Sequence, residues 1–570
     1  MLKRHAPALL IGAALVAMLA FTWRTWPDPL IDTGRELYTA WRLMEGDALY
    51  RDVAWFNGPL SPYVNAAAML VLGPSLDAIM LTNGLILVAI VLVLYRLLRM
   101  LSDRLAATSA TVVFVVGFAM LRLLGIGNYT FVTPYAHELT HGTLLLLSML
   151  LGLTRYLLSG SRTALIAASV CAGLACLTKP EVAAAALAGL LIPLALARLR
   201  DVLLALAVTS IPVALAFAAL LSKLSAAEAL AGVTAPFRYA LSASVRDQPF
   251  YRQVMLGSDV RESIAIAVTV TLVELALLAI GIAAGRVRRR SVTAVMVGIA
   301  VAAGLLLLVP SPFLFLFVVR GAPLLLPVAV GVLGWRWWRA HEAITLARLA
   351  LAIVASVLLV KIALTAGPQH YGFALAMPGA MVLTLAGLAW LPEGLEARGT
   401  SGWPLRAVVL GVWAATLPML LLVHAHRTAE LTQLVNAGTA DSYRARSRTL
   451  DEAMSLLAGY LSARTPPDST VAVLEQGAWL NFLIQRRNST PYVTVLPPEV
   501  AMFGERAIVD AFARRPPEYI VRIPFTGRYD YQVDGLHDYA PQLDRFVRDR
   551  YVNAMPQQLE QLPVALLRRR

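Results

Sequence analysis

The chain has 570 residues, of which 58% are hydrophobic and 15% are charged, and its formal net charge is +14. So large an apolar fraction excludes an ordinary soluble protein and predicts a polytopic membrane protein. The positive charge lies in short separate clusters and not in one contiguous basic tract, so we expect no nucleic-acid partner. The two cysteines, Cys171 and Cys176, share one apolar segment, which favours buried packing over a disulfide framework.

Thirteen apolar segments are long enough to cross about 30 Å of hydrocarbon as helices. They lie near residues 6–22, 76–97, 105–124, 139–158, 163–178, 182–197, 201–221, 263–285, 292–309, 321–335, 344–364, 372–391 and 403–424. The first follows the basic start MLKRH, as a cleaved signal peptide would. We interpret it as a membrane span, because no convincing small-residue cleavage site precedes Asp32 and many more spans follow.

Arginine clusters end nearly every even-numbered predicted span, as in GRVRRRS (285–291) and RWWRAHE (336–342). If the N-terminus is cytoplasmic, these clusters all face the cytoplasm, as the positive-inside rule requires. We therefore expect a multi-pass protein of the cytoplasmic (inner) membrane with its N-terminus inside. The alternate loops, and everything after about residue 425, would then face outward.

The first outer loop, residues 23–75, contains two further predicted helices. GRELYTAWRLMEG (34–46) carries apolar residues at helical spacing. GPLSPYVNAAAMLVLG (58–73) is too short to span beside its neighbour and is typical of a helix lying in the membrane interface.

The composition becomes soluble near residue 426, which predicts a membrane domain over 1–425 and an outward-facing domain over 426–570. Predicted strands at 469–475, 490–496 and 518–524 alternate with predicted helices at 477–487 and 504–515. This alternation predicts a small α/β domain. The expected fold is thus a polytopic α-helical membrane protein with a C-terminal soluble α/β domain.

The motif IDTGRE (31–36) follows the first predicted span. Asp32 and Glu36 are four residues apart, so a helix places both carboxylates on one face, with Arg35 beside them. A solvated helix face is the simplest interpretation. At the outer membrane boundary, however, an aspartate can act as general base towards an acceptor hydroxyl. We predict catalytic roles for Asp32 and Glu36, and a substrate-binding role for Arg35.

The second outer loop contains TPYAHELTHG (133–142), which includes the H-E-x-x-H pattern of zinc proteases. On a helix His137 and His141 would share a face, with Glu138 between them. A zinc centre needs a third protein ligand, and no convincing candidate is evident. We therefore predict that these groups line a pocket, where Glu138 acts catalytically or helps to bind the acceptor or a cation. A divalent metal stays possible.

Further polar residues lie at the predicted outer ends of other spans. Lys179 stands in LTKPE (177–181) and Arg320 in FVVRGAP, while His370 and Tyr371 stand in GPQHYG (367–372). A lysine at a membrane boundary often only snorkels to water. If these residues converge, they form a binding site for one or two phosphates.

The order of these motifs resembles the GT-C glycosyltransferases, a superfamily that includes protein O-mannosyltransferases and lipid A aminoarabinose transferases. The similarity is to the bacterial family-39-like branch, through the acidic first loop, TPYxHxxxxG, KPE and HYGFxLxxPG (370–379). The resemblance implies a polyprenyl-phosphate-sugar donor and an inverting transfer, with Asp32 as general base. It also implies that Lys179, Arg320 and His370 contact the donor phosphate.

Two features depart from the family pattern. The first-loop turn reads FNGPL, with Asn57 and Gly58 where relatives often carry a lysine. The acid of the second outer loop is Glu138, flanked by histidines, where many relatives place an aspartate. The role of the second acid and any metal requirement therefore stay open.

We predict a membrane glycosyltransferase that moves a sugar from a polyprenyl-phosphate donor to a glycan, lipid or protein acceptor on the outer face. No glycine-rich phosphate loop is present to hold a soluble nucleotide sugar. The alternatives are a lipid or glycan transporter, an intramembrane metalloprotease that uses HELTH, and a glycan polymerase or ligase with a diphosphate-linked donor.

Overall fold

The computed structural model describes residues 2–123, 129–287, 290–308, 319–368, 370, 372–446, 450–523 and 533–570. Two α-helices and a short π-helical turn, Pro29–Thr33, form its N-terminal part, followed by the remaining helices of the membrane domain. These helices are α1 (Leu2–Thr22), α2 (Gly34–Met44), α3 (Leu60–Leu72), α4 (Leu76–Leu101), α5 (Arg104–Gly117), α6 (His137–Ser159), α7 (Arg162–Cys176), α8 (Pro180–Ala197), α9 (Leu199–Leu221), α10 (Ala226–Leu241), α11 (Ala243–Arg246), α12 (Pro249–Leu256), α13 (Val260–Ala284), α14 (Arg290–Leu308), α15 (Ala322–Ala340), α16 (Ala343–Leu359), α17 (Met377–Leu385), α18 (Leu391–Glu396) and α19 (Trp403–Ala429).

Each of the thirteen predicted spans overlaps a helix of this structure. Within the described part of the chain, nine helical stretches are long and apolar enough to cross a membrane. The predicted spans at 105–124 and 163–178 form the shorter apolar helices α5 and α7. The α-helical membrane domain expected from the sequence is thus confirmed, with several helices shorter than a full bilayer crossing.

The helix boundaries follow local capping chemistry. The Ser75 side chain accepts a hydrogen bond from the backbone of Ala78 at the start of α4, and Asp103 does the same for Ala106 at the start of α5. A side-chain oxygen at this position satisfies a backbone N–H that the helix cannot pair itself, which fixes where the helix begins.

The helices give the membrane domain two distinct ends. At one end, which we call the opposite end, α4 finishes beside the starts of α5, α16 and α19, where Arg348 binds the Leu101 carbonyl and Arg406 pairs with Asp103. At the other, which we call the domain end, Asp441 of the C-terminal region caps the first turn of α4 by accepting from Leu76. Asp32 and Lys179 lie at the domain end, as the charge pattern predicts for one shared side.

The C-terminal region folds as an α/β domain. A short hairpin, β1 (Gln433–Val435) with β2 (Tyr443–Ala445), precedes a four-stranded sheet of order β3-β4-β6-β5. The sheet strands and flanking helices are α20 (Leu450–Arg464), β3 (Val471–Leu474), α21 (Trp479–Ile484), α22 (Pro497–Phe503), α23 (Glu505–Arg514), β4 (Tyr519–Arg522), α24 (Leu536–Tyr539), α25 (Pro541–Arg550), β5 (Tyr551–Asn553) and β6 (Ala565–Arg569). Strands β3 and β4 are parallel, whereas β6 is antiparallel to β4 and β5.

The predicted strand at 490–496 is wrong, because this segment is irregular and leads into α22. Its alternating apolar residues, Val493 and Val495, are buried in two different hydrophobic clusters. The alternation therefore reflects packing of an extended loop and not pairing in a sheet. The other predicted elements of this domain are present as β3, α21, α23 and β4.

The C-terminal domain docks directly on the first outer loop. The Asn488 backbone donates to the Tyr38 hydroxyl at 2.9 Å, and the Ala54 backbone donates to the Pro491 carbonyl at 2.8 Å. Gly34 lets α2 approach Trp479 closely, since a Cβ there would lie 2.6 Å from the Trp479 backbone nitrogen. These contacts bring the domain onto the segment that carries Asp32.

Candidate active site

Asp32 lies in the π-helical turn that leads into α2, and its side chain is 23% exposed. The Arg35 guanidinium lies 3.2 Å from the Asp32 carboxylate and 3.9 Å from that of Glu36. The predicted clustering of these three residues is present in the structure. It is not a solvated helix face, because Arg35 and Glu36 are buried.

Arg35 is held from several sides. Its guanidinium donates to the Tyr135 carbonyl at 3.2 Å and lies over the rings of Phe56 and Trp55, with the nearer ring centroid 5.2 Å away. A guanidinium fixed by a carbonyl, two rings and a carboxylate has little freedom to move. Arg35 therefore holds Asp32 in place.

Two glutamates form the deepest part of the site. Glu36 of α2 and Glu138 of α6 are 1% and 0% exposed, and none of their four carboxylate oxygens has a hydrogen-bond partner among the described residues. The indole of Trp55 faces Glu138 without meeting hydrogen-bond geometry. Buried polar groups are normally paired, so such an exception indicates a function or a missing ligand.

Lys179 precedes α8, and its positive charge acts on both Glu36 and Glu138. Its side chain is buried, and its ammonium nitrogen lies 4.8 Å from the centre of the Tyr135 ring. In the described ranges it makes no hydrogen bond and no ion pair. A buried ammonium with no anionic partner is suited to bind an anionic ligand.

Burial governs the protonation of the site residues. It raises the pKa of Asp32 above its usual value, while Arg35 and Lys179 act in the opposite direction. Burial, with the neighbouring Glu138 charge, raises the pKa of Glu36 well above that of an ordinary glutamate. Burial also lowers the pKa of Lys179, and Lys361 adds to that effect. Burial thus favours the neutral form of Glu36.

A narrow cleft with a cavity volume of about 20 Å³ lies beside Asp32. Its walls carry hydroxyl, aromatic and charged groups from four segments of the chain: Thr25, Trp26, Asp28, Asp32, Thr33, Arg122, Thr130, Thr133 and Tyr135. The cleft leaves the Asp32 carboxylate partly accessible.

The two histidines of HELTH are part of a buried hydrogen-bonded cluster. His141 uses both ring nitrogens, with Ser61 at 2.9 Å and Asn83 at 3.2 Å. The Nδ1 atom of His137 contacts Asn65 and Asn83 at 2.9 Å and 3.2 Å. These contacts connect α3, α4 and α6 below the acidic pair.

The His and acidic side chains of the site do not form a metal centre. Where the structure describes the chain, no group of three or more His, Cys, Asp or Glu side chains lies close enough to hold a metal ion. Since both nitrogens of His141 are engaged by Ser61 and Asn83, the zinc-protease arrangement does not fit these residues. The reaction proposed for these residues therefore uses no metal ion.

Arg320, Lys361 and His370 form a second basic cluster at the domain end. His370 donates through Nε2 to the Val254 carbonyl at 3.0 Å, and Arg320 donates to the Leu364 carbonyl. Lys361 pairs with Glu181, two residues beyond Lys179, at 2.7 Å. Burial, opposed by the bond to Val254 and assisted by Lys361 and Arg320, lowers the pKa of His370 to about 4.

This second cluster adjoins Lys179 through Glu181 but does not contact Asp32. The predicted donor-phosphate roles of Arg320 and His370 stay predictions. Tyr371, which the sequence places beside them, lies outside the described residues.

One acidic residue of the site was missed in the sequence. Glu499 belongs to α22 of the C-terminal domain and is 5% exposed. Its charge helps to raise the pKa of Arg35. Burial raises its pKa. Nothing in the segment LPPEVAMFG marks it as a site residue, because its neighbours come from a segment more than 450 positions earlier in the chain.

No protein-family model matches the chain, and no curated protein matches it either. Solved structures of an archaeal oligosaccharyltransferase and of ArnT resemble this chain remotely. The Archaeoglobus fulgidus oligosaccharyltransferase tethered to an acceptor peptide is 14% identical, with a TM-score of 0.49, over 97% of this chain and 73% of that one. The archaeal oligosaccharyltransferase AglB from the same organism, in complex with an inhibitory peptide and a dolichol-phosphate, is 15% identical, with a TM-score of 0.49 over 98% and 74%.

ArnT from Cupriavidus metallidurans, bound to undecaprenyl phosphate, is 13% identical, with a TM-score of 0.47, over 99% of this chain and 98% of that one. These are remote likenesses. The functional conclusion therefore rests on the residues of this chain.

Proposed function

We propose that this protein is a membrane glycosyltransferase that transfers a sugar from a polyprenyl-phosphate-linked donor to an acceptor hydroxyl at the outer face of the membrane. The observation that carries the proposal is the arrangement at the domain end. A partly exposed carboxylate, Asp32, opens onto a polar cleft and lies beside two buried cations, Arg35 and Lys179. A base and a phosphate site next to each other are what such a transfer requires.

Asp32 is the proposed general base. Its carboxylate takes the proton of the acceptor hydroxyl as the acceptor oxygen forms a bond to the anomeric carbon of the donor sugar. The bond between that carbon and the phosphate oxygen breaks, and its electron pair leaves with the polyprenyl phosphate. Attack opposite the leaving group inverts the configuration. Because burial raises the pKa of Asp32, the carboxylate is a stronger base than an exposed aspartate.

Lys179 is the proposed contact for the donor phosphate. Its ammonium group is buried and is not engaged by an acid of the described chain, so its charge can stabilise the negative charge that grows on the leaving phosphate. Arg35, in contrast, is already committed to Asp32 and the Tyr135 carbonyl. We assign Arg35 to positioning the base. Arg320 and His370, which lie near Lys361, are proposed to contact the lipid phosphate farther from Asp32.

Glu36 and Glu138 are proposed to contact the acceptor. A neutral carboxyl can donate and accept hydrogen bonds, and a hydroxyl-rich acceptor needs both kinds of partner. Glu36 is favoured in its neutral form by burial. In this proposal Glu36 and Glu138 contribute to catalysis by orienting the acceptor oxygen towards Asp32.

The proposed orientation puts the domain end outside the cell. Arg348 and Arg406 lie at the opposite end, and arginines in the loops of a membrane protein mark its cytoplasmic side. A donor carried by a membrane lipid would reach the site from the outer leaflet. This assignment places the protein in the cytoplasmic membrane with its C-terminal domain outside; the acceptor can be a glycan, a lipid or a protein.

The decisive experiment measures sugar transfer by the purified full-length protein in nanodiscs, with undecaprenyl-phosphate-linked pentoses and hexoses as donors. We expect Asp32→Asn to lower the transfer rate by about 10²–10⁴-fold, the usual contribution of a general base. Binding of undecaprenyl phosphate should be unchanged, since the cations remain.

The matched control is Asp52→Asn, which removes a carboxylate of the same outer loop that pairs with Arg51 at the surface. It should transfer at the wild-type rate. Transfer by Asp32→Asn at a near wild-type rate would refute the base assignment. A wild-type protein that moves lipid-linked sugar between leaflets without forming a new glycosidic bond would identify the transporter alternative.

A further inference from the structure

We propose that one end of the C-terminal sheet binds a water-soluble anionic glycan, a polysaccharide that carries phosphate or carboxylate groups. We call this surface the arginine end. It is defined by six exposed arginines: Arg487, Arg515, Arg550, Arg568, Arg569 and Arg570. The proposal goes beyond the proposed function and does not depend on sugar transfer.

The topology of the sheet gathers the ends of four strands at this surface. Strands β3 and β4 begin there together, with Val471 opposite Tyr519. Strand β6 finishes there, because Arg568 lies opposite Tyr519. Strand β5 begins there as well, since its first residue, Tyr551, lies opposite Arg569. The arginines that finish β6 therefore lie beside the first residues of the other three strands.

The remaining arginines come to the same end from other segments of the domain. The Arg570 backbone donates to the carbonyl of Arg550, the last residue of α25, at 3.0 Å. The Val471 backbone, at the start of β3, donates to the Arg487 carbonyl at 2.9 Å. Arg515 follows α23 directly, four residues before β4 begins. Segments that are distant in the chain thus bring their positive charge to one surface.

These arginines are not neutralised by neighbouring acids. Three acids stand within three residues of the same strand and helix ends: Asp468, Glu518 and Asp549. In the part of the chain that the structure describes, no arginine of the arginine end forms an ion pair within 4 Å. At the other end of the sheet, in contrast, Arg522 of β4 lies 3.6 Å from Glu475. The unpaired positive charge is therefore confined to one end of the domain.

Neither composition nor helix dipoles explain this surface. Residues 426–570 contain 18 Arg and 16 Asp and Glu residues, so the domain as a whole is nearly neutral. A helix C-terminus favours nearby cations, which accounts for Arg515 after α23 and Arg550 in α25. It does not account for the arginines of β6. Because like charges repel, gathering them on one surface does not stabilise the fold.

The guanidinium groups are suited to bind oxyanions. Arg550 lies over the Phe546 ring at 4.8 Å, and Arg568 lies over the Tyr519 ring at 5.9 Å. Contacts with rings orient a guanidinium but leave its charge and its N–H donors for a ligand. Residues 426–570 contain no Lys, so every cation of the domain other than histidine is of this type. Arginine binds phosphate and carboxylate through two parallel hydrogen bonds, which favours these groups as ligands.

A polymer in solution fits this surface better than a lipid headgroup layer. Elements that lie on a membrane combine basic residues with a large apolar face. On the four strands that meet here, the described residues include one exposed large hydrophobic side chain, Val552. A soluble polyanion needs only charge and access, and the arginine end supplies both.

The arginine end adjoins the first outer loop. The Ser489 hydroxyl donates to the Arg515 carbonyl at 2.7 Å, next to the contact between Asn488 and Tyr38. The acid of this loop, Asp52, is paired with Arg51 at 2.8 Å. A glycan held at the arginine end would therefore lie beside the loop that carries Asp32.

The test measures binding of the full-length protein in phosphatidylcholine nanodiscs to two fluorescein-labelled anionic glycans, polygalacturonate and phosphomannan. Neutral dextran and empty nanodiscs are the blanks. We expect binding of at least one anionic glycan and none of dextran, with an affinity that falls as salt is raised. Arg568→Gln combined with Arg570→Gln should weaken this binding by about 3–30-fold, the effect of losing two exposed charge contacts.

The matched control is Arg444→Gln combined with Arg506→Gln, which removes the same charge from exposed arginines elsewhere in the domain. It should bind as wild type. An equal loss in both double variants would show that only net charge matters and would overturn the proposal, as would a wild-type protein that binds neither anionic glycan.

A second double variant guards against misfolding. Arg487→Gln combined with Arg515→Gln changes two segments outside β6 and must also weaken binding; unchanged affinity there overturns the proposal. Sedimentation with phosphatidylglycerol vesicles tests the membrane as partner. Vesicle binding that needs the same arginines, without binding of either glycan, would assign the surface to lipid and refute the proposal. A protein that binds the glycan but transfers no sugar refutes the proposed function alone.

Discussion

The two ends of the membrane domain differ in whether their buried ionisable side chains have hydrogen-bond partners. At the opposite end, Arg348 binds both oxygens of Glu393 at 3.2 Å and 2.9 Å and donates to the Leu101 carbonyl, while Arg406 pairs with Asp103 at 2.6 Å. At the domain end, the carboxylates of Glu36 and Glu138 have no hydrogen-bond partner in the described chain.

The lack of hydrogen-bond partners is confined to the site and is not a general property of the domain end. Arg24 pairs with Asp77 at 3.0 Å and Lys361 pairs with Glu181 at 2.7 Å, both at that end. Removing a charged group from water without a partner costs several kcal/mol, so a fold selected for stability alone would pair it. Buried carboxyl groups that lack a hydrogen-bond partner therefore distinguish residues kept for a ligand from residues kept for the structure.

The largest effect that tests this contrast is expected at Lys179. Lys179→Gln removes the buried cation but keeps most of its length. We expect transfer to fall by about 10²–10³-fold, the size typical of a lost electrostatic contact in a transition state. Affinity for undecaprenyl phosphate, measured by thermal stabilisation with added lipid, should fall as well.

Lys223→Gln is the matched control for Lys179, since Lys223 lies in the outer loop after α9 and donates to the Gly46 carbonyl at the surface. It should behave as wild type in both measurements. Unchanged transfer and lipid binding in Lys179→Gln would show that its lack of an acidic partner has no functional meaning.

An intermediate effect of a different kind is expected at Arg348. Arg348→Gln breaks the paired bond to Glu393 and the bond to Leu101, and we expect a loss of about 1–3 kcal/mol in stability, because charged hydrogen bonds are lost. The rate of transfer at a permissive temperature should change less than twofold. A large loss of transfer with unchanged thermal stability would contradict the division of the two ends into structural and functional charge.

The smallest effect is the pH dependence of stability caused by Glu36. Because the pKa of Glu36 is raised in the folded protein, the folded state binds its proton more tightly than the unfolded state does. The favourable contribution is present below the ordinary value of 4.5 and is lost as pH rises towards the raised pKa.

Glu36→Gln should therefore melt at the same temperature as wild type near pH 4 and on the order of a degree or two above it near pH 8. Differential scanning fluorimetry over this pH range measures the difference in melting temperature between the variant and the wild type. The contributions of all other titrating groups cancel in this difference. A variant that became relatively less stable as pH rises would show that Glu36 is held as an anion.

Part of the site was predictable from local spacing. Arg35 lies three residues after Asp32 and pairs with it, as the helical repeat predicts. Glu138 and Lys179 lie near Asp32, as expected if all three belong to loops on one side of the membrane, while the direction of the spans stays a prediction from the arginine clusters. Burial of Glu36 and the hydrogen-bonded roles of His137 and His141 were not predictable, since Asn65, Asn83 and Ser61 come from other helices.

The sequence by itself determined the membrane helices, because hydropathy acts through the bilayer and needs no knowledge of neighbours. Only the tertiary structure decided that Glu36 and Glu138 are both buried and act on each other's charge, and that residues 490–496 form a loop. The physical reason is that these features depend on which distant side chains approach each other, and a buried charge is defined by those neighbours and not by its position in the chain.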